Sequence, residues 1–88
     1  MMFVIHWQAE PKRRDSVMKR FQKIGHGAPK GITIVASYHS VTQLEGWAIA
    51  ETKDSVLIGR WLHAWTDLNV NHVTPVVDRK DMLKIVAR

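Results

Sequence analysis

The chain has 88 residues, 45% hydrophobic and 24% charged, and its 13 lysines and arginines against 8 aspartates and glutamates give a formal net charge of +5. This balance excludes a disordered chain, and the length allows one domain, near the lower limit for a core that folds without staples. With no cysteine, disulfides and thiolate zinc sites are excluded, and a reducing, cytoplasmic setting is the expectation.

From the N-terminus, Met2 to Gln8 alternates: Phe3, Ile5 and Trp7 fall on one side and Val4, His6 and Gln8 on the other, the period of a strand. His6 breaks the apolar run and Glu10, Lys12, Arg13 and Arg14 follow it, so it is not read as a signal sequence. Pro11 suits the first position of a helix in which Val17, Phe21 and Ile24 recur at helical spacing beside Met18, and Gly25 supplies the stop. The outer face of this helix is basic through Lys12, Arg13, Arg14, Lys19, Arg20 and Lys23.

Gly25 to Gly31 reads as a loop from its breakers. Ile32 to His39 and Leu44 to Glu51 read as two strands close enough to form a hairpin. Thr52 or Asp54 can cap a second helix, whose stripe of Leu57, Trp61, Trp65 and Leu68 is widened by Ile58 and Leu62. Asn69 to Val77 returns to strand character, with Pro75 confining it to a sheet edge. Asp78 can then cap a short amphipathic helix bearing Met82, Leu83, Ile85 and Val86, with Arg79, Lys80, Lys84 and Arg88 as its cations. No segment is long and apolar enough to span a bilayer.

This order predicts an α+β fold of ferredoxin-like βαββαβ topology: an antiparallel four-stranded sheet with two helices on one face. Residues 1–78 form the domain and residues 79–88 a C-terminal amphipathic helical tail. The second sheet face is left open. If Trp47 and Ile49 share it with Val4, Val35, Val70 and Val76, it is too apolar to stay wet, and a homodimer is the expected solution, with the tail folding back over the face as the alternative.

Five segments carry a family resemblance: Met2-Phe3-Val4-Ile5-His6-Trp7, Tyr38-His39, Gly46-Trp47-Ala48-Ile49-Ala50-Glu51, the helix end Trp61-Leu62-His63-Ala64-Trp65-Thr66-Asp67-Leu68, and Val73-Thr74-Pro75-Val76-Val77-Asp78. Together they resemble an uncharacterised bacterial and cyanobacterial family of unknown function, similar in fold to the dimeric α+β-barrel proteins. The resemblance spans Met2 to Asp78, and the tail departs from it. It implies the fold and the dimer, and it transfers no catalytic residue and no cofactor.

Simple alternation places His6 with Gln8, His39 with Thr33 and Ser37, and His72 with Thr74, all in the polar registers of their strands. Glu45, Trp47, Ile49 and Glu51 form the corresponding register of the third strand. The expectation is therefore a cleft lined by His6, His39, Trp47, Tyr38 and His72, holding a small apolar or aromatic molecule, with a histidine as base for proton transfer or cofactor-free oxidation. The blander reading is that strand histidines only hydrogen-bond their neighbours; their spacings match no metal motif, and no metal is assigned. Trp7, Trp61 and Trp65 with Phe3 and Phe21 are read first as core and second as a pocket between helices and sheet.

Gly46-Trp47-Ala48-Ile49 is similar to the third strand of RNA-recognition motifs, yet Glu45 and Glu51 would repel phosphates and Ile49 stands where a stacking aromatic is needed, so the sheet is not expected to bind nucleic acid. The alternative function is a non-enzymatic interaction protein that docks an acidic partner through Arg13 and Arg14 or through the tail.

Overall fold

Strand β1 (Met2–Gln8) alternates as its sequence requires: Phe3 and Ile5 are buried, and Val4 and His6 lie on the opposite face. In the computed structural model, which describes residues 1–87, β1 leads into a 3₁₀ turn at Pro11–Arg13 and helix α1 (Arg14–Ile24). Gly25 ends α1 at a positive φ of 62°, a conformation glycine adopts without steric penalty, and its N–H returns to the Phe21 carbonyl at 2.7 Å. Strands β2 (Thr33–His39) and β3 (Glu45–Glu51) form the hairpin. Helix α2 (Ser55–His63), strand β4 (Val70–Val76) and helix α3 (Arg79–Val86) complete the order. Arg88, counted with the basic tail, lies outside the described residues.

The four strands form one sheet in the order β2-β3-β1-β4, every neighbouring pair antiparallel. This is the ferredoxin-like arrangement. Its edge strand β4 carries Pro75, which has no N–H to give to a ladder. Asp54 is the cap of α2, accepting from the Val56 N–H at 2.9 Å, while the buried Thr52 hydroxyl accepts from the Asp54 N–H at 3.2 Å.

Phe3 and Ile5 of β1 and the small Ala48 and Ala50 of β3 form the floor of the core, and Val17, Ile58, Trp61, Leu62 and Trp65 cover them. Small residues on a central strand leave room for indoles above. Gly46 shows how tightly: a Cβ there would meet the Trp7 indole at its Nε1 and Cε2 atoms and the Tyr38 carbonyl oxygen at 2.9 Å.

Two local features differ from the sequence reading. First, α2 stops at His63, and residues 64–68 continue as hydrogen-bonded turns, with Trp65 N–H donating to the Leu62 carbonyl at 2.9 Å and Leu68 N–H to the Trp65 carbonyl at 2.9 Å. The tightened turns end the helix early and bring the chain to β4, which starts at Val70. Trp65 remains in the core.

Second, β2 carries a bulge. Ile34 pairs with Ala50 and Ala36 with Ile49, leaving Val35 as the extra residue. One inserted residue exchanges the two faces of everything beyond it. Ser37 and His39, paired with Ala48 and Gly46, therefore face the helices, and Tyr38, paired with Trp47, faces away.

Candidate functional site: two faces of one sheet

On the helix side, a cleft that opens to solvent lies between the sheet and the helical layer. Ile5, Trp7, Phe21, His26, His39 and Trp61 are among its walls. The polar groups gather around one aromatic ring. Phe21 meets His26 edge-on at 5.3 Å and His39 at 5.1 Å between ring centroids. The two imidazoles lie 6.3 Å apart and nearly parallel, and Ser37 Oγ is 3.1 Å from His39 Nε2.

The loop that brings His26 there is held from below. Its carbonyl accepts two indole N–H groups, from Trp61 at 2.7 Å and Trp65 at 3.0 Å. Both tryptophans thus bury their rings in the core and satisfy their polar atoms on one oxygen. Arg20 secures the neighbouring turn by a two-pronged bond to Asp67 at 2.7 and 2.8 Å, a further bond to the Ala64 carbonyl at 2.8 Å, and its position over the Trp65 ring. No buried side-chain polar atom among the described residues lacks a partner.

Burial, and secondarily the proximity of His39, hold the His26 pKa below the ordinary histidine value of 6.5. At neutral pH His26 is therefore an uncharged imidazole, able to accept a proton or a hydrogen bond. Apolar walls with two imidazoles and a hydroxyl on one side suit a molecule with an apolar body and one polar, proton-bearing group.

The opposite face carries a different constellation. Tyr38 pairs with Trp47, Trp47 with His6, and His6 with His72, so four rings form one row across all four strands. His6 and Trp47 rings are parallel with centroids 5.0 Å apart, and His72 lies 6.1 Å from His6. Glu45 fixes His6 through a 2.8 Å contact between Oε1 and Nε2. Val4 and Ile49 face each other in the adjoining row, and Met2 pairs with Val76 beyond them. The row is open to solvent: Trp47 is 40% and Tyr38 69% exposed.

The expected single cleft of five residues is therefore divided. His6, Trp47, Tyr38 and His72 are together on the open face, whereas His39 is on the helix side, because the Val35 bulge reverses the register that alternation had implied. His26, which joins His39, lies in the Gly25–Gly31 loop, which the sequence marks only by its breakers. No sequence signal marks His26 itself, because what places it is the convergence of Trp61 and Trp65 on that loop, a long-range contact. Arg13 and Arg14 are exposed at the start of α1, with Arg14 Nε bonded to Asp15 Oδ1 at 3.0 Å. No group of three or more metal-ligating side chains among the described residues is arranged to hold a metal ion.

The model of the family described as Domain of unknown function (DUF3303) matches residues 1–88. The chain belongs to that family. No curated protein matches it. Among solved structures it is similar to Rv0793 from Mycobacterium tuberculosis, with a TM-score of 0.54 and 13% identity over 89% of this chain and 96% of that one. It is also similar to a Deinococcus radiodurans protein provisionally described as an antibiotic biosynthesis monooxygenase, with a TM-score of 0.51 and 7% identity over 89% of this chain and 94% of that one. At such identities the likeness shows the fold alone, in agreement with the ferredoxin-like sheet. No helix among the described residues is long and apolar enough to cross a membrane.

Proposed function

We propose that this DUF3303 chain works as a homodimer that holds a small, largely apolar or aromatic molecule in the helix-side cleft, with proton transfer as the chemistry available there. The observation that carries the reading is the meeting of His26, His39 and Ser37 at an apolar cleft walled by Phe21, Trp7 and Trp61. His39, placed by Ser37, and His26, kept neutral by burial, are the groups for the polar end of the ligand. The aromatic row of His6, Trp47, Tyr38 and His72 is assigned to the dimer face. The provisional description of the Deinococcus protein as a monooxygenase keeps oxidation within the same reading.

Docking of an acidic partner through Arg13 and Arg14 has less support, since Arg14 already meets Asp15 at 3.0 Å.

Calorimetric titration and thermal shift with 2-naphthol as the probe test the cleft. The probe is expected to bind the wild type and Tyr38→Ala, raising their thermal midpoints, and to bind Phe21→Trp, whose larger ring narrows the cleft, much more weakly. Equal binding by Phe21→Trp, or no heat with the wild type, would overturn the assignment.

A further inference from the structure

Among the described residues, the apolar side chains of α3 have nothing to pack on within one chain. Met82, Leu83, Ile85 and Val86 are 48–65% exposed, and none of them belongs to the core. The helix is joined to β4 by Val77 and Asp78 alone, and the Asp78 carboxylate fixes its start by accepting the Asp81 N–H at 2.7 Å. The molecule measures 50 Å along its longest axis and 26 × 17 Å across it. A seven-residue strand spans only about 23 Å, so α3 stands out beyond the sheet.

Helical spacing puts Arg79, Met82, Leu83 and Val86 on one side of α3. The corner of the open sheet face at the β2 bulge offers a complement. Val35 is exposed there, and the nearby Glu51, paired in register with Thr33, makes no ion pair with any described residue.

Area argues that the complement belongs to a second copy. Four strands of this length present a footprint of about 20 × 23 Å, so sheet pairing alone would bury roughly 900 Å² over two chains, short of the ~1,200–2,000 Å² of a stable interface. One helix from each chain, about 12 Å long and ~10 Å wide, laid on the other copy would add about 240 Å² of helix surface, the rim beneath being already counted, and bring the total close to the lower edge of that range.

We infer that α3 is an intersubunit element: its Arg79, Met82, Leu83 and Val86 side packs on the rim of a second copy's open sheet face, at Val35, with Arg79 directed to Glu51. This rests on the homodimer proposed above and adds the part of the chain that makes it stable. The tail then serves the partner's sheet, not its own.

Sedimentation equilibrium tests it, with circular dichroism to confirm folding. The wild type is expected to dimerise, and both the double variant Leu83→Asp, Val86→Asp and the single variant Arg79→Glu to dimerise at least about tenfold more weakly, a difference of ~1.4 kcal/mol. Combining Arg79→Glu with Glu51→Arg is expected to recover most of the loss. A double aspartate variant with the wild-type dissociation constant would overturn the role of α3 and leave the sheet-mediated dimer standing. A wild type that stays monomeric at all concentrations would overturn both. Wild-type binding to phosphatidylserine-containing vesicles, lost in the aspartate variant with dimerisation unchanged, would make α3 a membrane-surface element and equally overturn the inference.

Discussion

The two faces of the sheet carry similar kinds of side chain under opposite conditions. On the helix side Trp7, Trp61 and Trp65 are enclosed or half-enclosed, and the Trp61 and Trp65 indole N–H groups have a defined acceptor. On the open side Trp47 and Tyr38 stand in solvent, ordered only by their cross-strand neighbours. A tryptophan is therefore not informative by type. Enclosure converts it into stability and a fixed cleft wall, and exposure leaves it available to another molecule.

The sharpest way to break this comparison is to make the same substitution on each face. Trp61→Ala removes a buried ring and one of the two donors to the His26 carbonyl, and is expected to lower unfolding free energy by about 3–5 kcal/mol. Trp47→Ala, studied in dilute samples, is expected to change it by no more than ~1 kcal/mol. Chemical denaturation of the two variants measures the difference, and equal losses would mean that the open face is not open in solution.

A smaller effect is expected from Gly46→Ala, which sharpens the account of where the helix-side cleft gets its shape. The added methyl would press on the Trp7 indole and on the Tyr38 carbonyl oxygen, and backbone cannot rotate away as a side chain can. Overpacking of this kind costs about 1–3 kcal/mol. Near-ultraviolet circular dichroism should show the displaced Trp7, and an unchanged spectrum with unchanged stability would count against the close packing.

The smallest effect is the pH dependence contributed by His26. Because burial lowers its native pKa, the unfolded chain binds a proton at His26 before the folded chain does. Stability from this group is intact above the ordinary histidine value and falls as pH drops from that value through the lowered native one. His26→Gln keeps the carbonyl that holds Trp61 and Trp65, so its thermal midpoint should fall less between pH 7 and ~5 than that of the wild type. A steeper fall in the variant would reverse the sign and remove the neutral-imidazole account.

Particular elements show what each level of information contributes. Strand β1 was legible because its alternation from Phe3 to Trp7 is unbroken, and β3 because Ala48 and Ala50 alternate with Trp47 and Ile49. The caps at Asp54 and Asp78 were legible because they act on N–H groups two or three residues away. The grouping of His39 with His6 and His72 was not legible, since it required β2 to keep its register past Val35, and neither Gly nor Pro at that point announces a bulge.

The sequence alone determined the order of elements, the ferredoxin-like sheet with β4 at its edge, and which side of β1 and β3 the helices cover, because those depend on periodicity and on local caps. Tertiary structure decided which histidines meet. It sent His39 to His26 through one extra residue in β2, and it brought His26 there through two indoles that arrive from 35 and 39 positions away. A period-two pattern cannot record an inserted residue, and an acceptor carbonyl leaves no trace in the identity of its side chain.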